Sequence, residues 1–141
     1  MNRLLTSKYK PGGRGPDEYD CWGLVRAARI ELFGYPELPS FDWAAPGDFR
    51  RISVAYESAR VLQGFYELVI PRPGAIAMAW RGSLCAHVGI VVEVDGRMQV
   101  LETAADTGPV LTDTHYFKRR YTSVVFYENQ SLQRPAEQHT D

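Results

Sequence analysis

Tyr19-Asp20-Cys21-Trp22-Gly23-Leu24-Val25 is the point where a loop rich in glycine, proline and acidic residues turns into an apolar helical pattern, with a cysteine on the boundary. Asp20 is a strong N-cap residue. The spacing therefore predicts that Cys21 lies in the first turn of a helix, where unpaired backbone N–H groups and the positive end of the helix dipole favour a thiolate. That is the position a nucleophile needs. The same residue also reads as a small buried hydrophobe, the usual fate of a free cysteine, so partners elsewhere in the chain have to decide.

On the amino-terminal side, residues 6–20 contain Gly12, Gly13, Gly15, Pro11 and Pro16 and are turn-forming throughout, either as a functional loop or as a disordered arm. On the other side, Leu24, Val25, Ala28 and Leu32 recur at helical spacing, with Arg26, Arg29 and Glu31 expected on the opposite face and Gly34 and Pro36 as the stop. After a Pro-containing loop, a second helix is expected from the cap Asp48 to about Gly64, with Phe49, Ile52, Ala55, Tyr56, Ala59 and Leu62 on one face. Strands are then expected at 65–70, 75–80, 86–94, 97–103 and 121–127, with a short one near Val110 in an excursion over 104–120. Helices followed by a mostly antiparallel sheet of five to six strands give an α+β fold. Residues 1–128 read as one domain and 129–141 as a disordered polar tail.

The 141 residues are 45% hydrophobic with a net charge of −1. No basic field or Lys/Arg stripe points to nucleic acid, and no apolar run is long enough to span a membrane. Met1 to Lys10 lacks a signal-peptide core, so synthesis in the cytoplasm is expected. Two cysteines give no disulfide framework.

Asp95-Gly96 between two strand patterns is a strong two-residue hairpin signal, and it serves as a ruler. If Val94 pairs with Arg97, Gly89 falls opposite Glu102 and His87 opposite Ala104. His87 and Glu102 then form a diagonal pair on one face, roughly 7–8 Å apart at the backbone and within side-chain reach. A carboxylate there would fix the tautomer of the imidazole and support its cationic form. Cys21, His87 and Glu102 thus compose a candidate triad for acyl transfer, with the Cys21 N–H and a donor from the glycine-rich loop, Tyr9, holding the oxyanion. His87 as a satisfied core histidine and Glu102 as a solvated residue is the bland alternative. Cys85 and His87 on one strand face, joined by Cys21 or His115, would allow zinc, but no close ligand pairing supports it, and neither a metal nor a cofactor is expected.

These residues resemble the NlpC-type cell-wall peptidases, papain-like cysteine enzymes that cut amide bonds in the peptide stems of peptidoglycan. Tyr9, Gly12, Gly13, Pro16, Tyr19, Asp20, Cys21, Gly23, Leu24 and Val25 match the family's first motif without a gap. Pro73-Gly74 with His87-Val88-Gly89-Ile90 matches the second, and Val100-Leu101-Glu102 the third. The resemblance implies a papain-like domain with Cys21 as nucleophile, His87 as base, Glu102 as third member, Tyr9 beside the nucleophile and Asp20 on the substrate side. Three residues depart from the pattern. Trp22, counted with Tyr9 and Asp20 among the oxyanion or substrate-binding candidates, stands where a small residue linked to binding the substrate's free amine is usual, Glu102 where histidine is commoner, and Ala75 where an acid follows Pro-Gly.

The Asp-Cys-Trp-Gly-Leu-Val form resembles the branch encoded with phage tail-assembly genes. That implies peptidoglycan peptide as substrate, tail proteins as partners, and delivery in a virion tail or by lysis. Two rivals carry the same residues: a non-catalytic tail protein in which the Trp22 ring fills the cleft, and an amidase or acyltransferase with another substrate.

Overall fold

Glycine and proline confine the first twenty residues to turns, and the turns are ordered by their own backbone. In the computed structural model, which describes residues 1–41, 53, 54, 57, 58, 60, 61 and 64–129, a short helix α1 (Asn2–Leu5) leads to strand β1 (Lys8–Tyr9), which pairs in parallel with β2 (Glu18–Tyr19). The Lys8 N–H donates to the Asp17 carbonyl at 3.0 Å, that of Lys10 to Tyr19 at 3.0 Å, and that of Gly15 to Glu18 at 2.8 Å. Residues 6–20 are therefore a folded loop and not a trailing arm. Arg3 ties it to the next helix by bonding Glu31 and the Tyr19 hydroxyl.

Helix α2 (Cys21–Phe33) begins and ends where the caps predict. The Asp20 side chain accepts the Gly23 N–H at 2.7 Å, and Gly34 adopts φ 67° in the left-handed region. The Tyr35 N–H then reaches back to the Arg29 carbonyl at 3.0 Å, closing the helix. Trp22, Leu24, Val25 and Ala28 are buried in one cluster with Val88, Ile90, Val92 and Leu101. Each such Leu or Val side chain contributes about 1.5–3 kcal/mol of transfer free energy. One side chain departs from the expected pattern. Arg29 is 1% exposed, because its Nη1 donates to the Gly74 carbonyl at 2.6 Å and to Glu128 Oε1 at 3.0 Å, with the Tyr35 and Phe65 rings on its guanidinium. Only a partner from the far end of the chain makes that burial tolerable.

Ser53, Val54, Glu57, Ser58, Arg60 and Val61 are helical, as the second helical pattern predicts; its cap Asp48 and its apolar face lie outside the described residues. Six strands follow in chain order: β3 (Phe65–Leu68), β4 (Ile76–Arg81), β5 (Leu84–Val94), β6 (Arg97–Ala104), β7 (Gly108–Asp113) and, after helix α3 (Thr114–Arg119), β8 (Ser123–Asn129). They form one antiparallel sheet of spatial order β3-β8-β4-β5-β6-β7. The expected α+β architecture is what the chain adopts. β3 stops two residues short of its sequence pattern, where Val69 is 99% exposed ahead of Pro71. The 104–120 excursion becomes a full strand and a helix. Asp113 caps that helix by accepting the His115 N–H at 2.9 Å, and Phe117 anchors it in a second core with Ala75, Ala77, Ala79, Val91, Val100 and Phe126. The polar tail lies outside the described residues. Among the described residues, no helix is long and apolar enough to cross a membrane.

Candidate active site

Cys21 is half-buried at the first position of α2. Asp20, beside it, also accepts Arg14 Nη1 at 2.6 Å, and Arg14 in turn donates to the Gly13 carbonyl at 2.9 Å and the Ser40 carbonyl at 2.8 Å. The Gly13 carbonyl receives the Asp20 N–H at 3.1 Å. The glycine-rich loop and the helix start are thus bolted together, and they approach so closely that a Cβ on Gly23 would fall 2.2 Å from the Gly13 oxygen. Tyr9 stands in this corner. Burial raises the pKa of its hydroxyl, and the charges of Cys21 and Asp20 raise it further.

The hairpin ruler holds along β5 and β6: Asp95 and Gly96 take positive φ at the turn, and the ladder runs from Val94↔Arg97 to Ile90↔Leu101. Beyond it, His87 Nε2 meets Glu102 Oε1 at 2.9 Å. Gly89 keeps that diagonal clear, since a Cβ there would sit 2.4 Å from Val100 and 3.5 Å from the Glu102 Cβ. The Tyr121 ring stacks on His87 at 6.1 Å and Phe117 lies 6.0 Å away. Burial lowers the pKa of His87, but its hydrogen bonds to Cys21 and Glu102, and the charges of both, outweigh burial and raise it to about 9. With Nε2 committed to Glu102, Nδ1 is the nitrogen left for Cys21.

Glu102 is 3% exposed. Burial raises its pKa, yet hydrogen bonds from His87, Thr112 and Arg120 bring it below the ordinary carboxylate value. Arg120 Nη2 lies 2.7 Å from each Glu102 oxygen. Thr112 and Arg120 are neighbours of Glu102 that no sequence pattern singles out: both lie in the 104–120 excursion, and their partner is set by how that segment folds back. Arg14 likewise belongs to no sequence motif, and its one local signal is its place inside the glycine-rich loop that ends at Asp20.

Two sequence readings change. A bulge between Ala79↔His87 and Trp80↔Cys85 turns Cys85 toward the cluster that holds Val88 and Ile90, whereas His87 packs on the other face with Phe117 and Tyr121. Cys85 and His87 therefore do not share a face. The Cys85 thiol is pushed up to about 12 by burial first and the neighbouring Cys21 charge second. Trp22 is 5% exposed; its Nε1–H donates to the Pro39 carbonyl at 2.8 Å and its ring packs on Phe41 at 5.5 Å. It braces the 38–41 segment and has no free indole N–H to offer a ligand.

A cavity of about 440 Å³ opens on the His87–Glu102 side, bordered also by Arg81, Asp106, Arg120 and Tyr121. A thiol at a helix start, an imidazole within hydrogen-bonding reach of it, and a carboxylate behind the imidazole can together move one proton between sulfur and a leaving group.

No protein-family model and no curated protein matches the sequence. Solved structures do share the fold. The NlpC/p60 domain of the peptidoglycan hydrolase SagA superposes with a TM-score of 0.59 at 15% identity, covering 92% of each chain. An N-acetylmuramoyl-L-alanine amidase from Bacteroides uniformis ATCC 8492 superposes with a TM-score of 0.57 at 12% identity, covering 92% of this chain and 95% of its own. The fold is thus of the NlpC/p60 type.

Proposed function

We propose that the protein is a cysteine peptidase or amidase that hydrolyses amide bonds in the peptide stems of peptidoglycan. The observation that carries this is the alignment of Cys21, His87 and Glu102, with His87 Nε2 held at 2.9 Å by Glu102 and Cys21 in hydrogen-bonding reach of the imidazole. The motif resemblance around Cys21 and the peptidoglycan-acting neighbours of this fold support the substrate class.

In the first step the Cys21 sulfur attacks the amide carbonyl carbon, and the carbonyl π electrons move to oxygen, where the Cys21 N–H at the helix start stabilises the oxyanion. As that oxyanion collapses, the C–N bond breaks and His87 gives its proton to the departing amine. In the second step neutral His87 takes a proton from water, the resulting hydroxide adds to the thioester, and the C–S bond breaks. Acid product and thiol are released, so the cycle consumes one water. The Trp22 ring, turned onto Phe41, is not spent on filling the cleft, which favours this reading over a non-catalytic one. The resemblance to tail-assembly branches makes a virion tail the proposed vehicle.

Digestion of purified peptidoglycan, with mass analysis of the soluble products, tests the proposal. The wild type should release fragments whose combined mass exceeds that of the parent by one water per bond cut, Cys21→Ala none, and His87→Ala fewer by about 10²–10⁴-fold. Intact peptidoglycan after exposure to folded wild type, together with Cys21 alkylation by iodoacetamide following the pH curve of a free thiol, would refute it.

A further inference from the structure

We propose that Arg120 is a positioning residue of the triad, which fixes the Glu102 oxygen presented to His87 and offsets the surplus negative charge that a glutamate brings to that position. The proposal rests on the hydrolase reading for its kinetic consequences and on geometry alone for its electrostatic ones.

A third triad member needs only to accept a hydrogen bond, and a neutral group does so without a net charge. A glutamate adds a full negative charge, here almost wholly removed from water. Left uncompensated, it would hold the imidazolium too firmly or take up a proton itself and cease to accept. Arg120 meets both difficulties. Its Nη2 bridges the two carboxylate oxygens at 2.7 Å each, so the Glu102 rotamer that aims Oε1 at His87 is the one the guanidinium can grip. Thr112 supplies a further hydrogen bond.

Arg120 is itself held in place. It ends α3, with its N–H donating to the Phe117 carbonyl at 3.3 Å, and its carbonyl accepts Arg81 Nη1 at 3.2 Å. The rings of Tyr116, Phe117 and Tyr121 surround its guanidinium at 5.7, 5.3 and 5.4 Å. Its Nε is buried without a hydrogen-bond partner, a cost that this geometry has to offset and that an arginine reaching into water would not bear. The helix and the two residues that follow it thus bring Phe117 and Tyr121 against the His87 ring and Arg120 against the carboxylate behind it.

The consequence falls on the second half of the reaction. Among the described residues, the charged and titratable groups around His87 are Cys21 from α2, Glu102 from β6, Tyr121 and Arg120 after α3, with Arg81 and Asp106 at the rim of the adjoining cavity. Once Cys21 is acylated its negative charge is gone, and among the described residues Glu102 is the remaining group in direct contact that holds the proton on His87. Deacylation requires a neutral imidazole. Arg120, about 5 Å beyond His87 through the carboxylate, weakens that hold, and a charge at this range, partly screened by solvent, is worth about one pH unit.

The test reads the His87 titration by NMR in Arg120→Met, Arg120→Lys, Glu102→Gln and the double variant Glu102→Gln/Arg120→Met, alongside kcat and KM against pH. Arg120→Met should raise the His87 midpoint by about one unit and lower kcat near neutrality about tenfold, with KM little changed. Arg120→Lys, which keeps the charge, should stay near wild type in midpoint. Glu102→Gln should titrate about one unit below the double variant, because it alone leaves the cation facing the imidazole; this comparison carries the test if Arg120→Met does not fold. Coincident midpoints for Glu102→Gln and the double variant, or equal shifts in Arg120→Lys and Arg120→Met, would overturn the proposal. Absence of peptidoglycan hydrolysis with the predicted midpoint shifts would remove the hydrolase reading and leave the electrostatic role standing.

Discussion

Replacing Gly23 by alanine should destabilise the protein, although in an open helix the same change stabilises by about 1 kcal/mol. Gly23 is the third residue of α2, and its new Cβ would lie 2.2 Å from the Gly13 carbonyl oxygen and 3.2 Å from Asp20 Oδ1. Ordinary contact requires the loop and the helix start to part by about 1 Å. Both are tied by the bonds from Asp20 N–H to Gly13 at 3.1 Å, from Gly23 N–H to Asp20 at 2.7 Å, and from Arg14 to both. Overpacking costs about 1–3 kcal/mol and a weakened buried hydrogen bond about 1 kcal/mol more. Set against the helix gain, the net loss is about 2 kcal/mol, or a fall in Tm of about 4–8 °C for a chain of this size. Because the parting displaces Cys21, hydrolysis should drop by about 10²-fold in the protein that remains folded. Calorimetry with circular dichroism gives the first quantity and the peptidoglycan digest the second. A Tm above wild type would refute the reasoning, since it would mean that the contact between Gly13 and the helix is slack.

Glu128→Gln should destabilise by about 3–5 kcal/mol in urea unfolding, because it leaves the Arg29 guanidinium, 1% exposed, without its counter-charge; a loss under about 1 kcal/mol would show that the Gly74 carbonyl and the aromatic rings suffice. Stability should also fall as pH rises from neutrality. His87 binds its proton more tightly folded, at about 9, than unfolded, near its ordinary 6.5. Its contribution is therefore full below about 6.5 and is lost as pH rises through about 9. Urea midpoints at both ends of that window, in wild type and in His87→Gln, check the sign: the variant should be flatter, and an equal slope would show that other groups set it.

The Arg29–Glu128 pair and the Arg14–Asp20 pair solve one problem at two points along α2. Arg29 and Glu128 anchor the helix to the last strand beneath the aromatic rings of Tyr35 and Phe65, while Arg14 and Asp20 anchor its start to the glycine-rich loop. Cys21 is thus positioned by ionic contacts that involve neither His87 nor Glu102.

Features legible in the chain are those that neighbouring residues decide. Asp20 and Gly34 bound α2 because capping is settled within one turn of helix. Asp95-Gly96 set the β5–β6 register because a two-residue turn admits one pairing, and that register brought His87 and Glu102 within reach across a hairpin. What only the tertiary structure decided depends on parts of the chain that meet through packing. The bulge that separates Cys85 from His87 arises in the β4–β5 ladder, beyond the last β5–β6 pair, Ile90↔Leu101. Arg29 lies on a polar stripe in the helical pattern and is buried because Glu128, 99 residues away, arrives beneath it. Arg120 reaches Glu102 because Phe117 finds an apolar pocket on the far face of the sheet and draws α3 down with it. Local hydrogen bonding and steric rules can be read from adjacent letters; the solvation of a buried charge is set by everything that surrounds it.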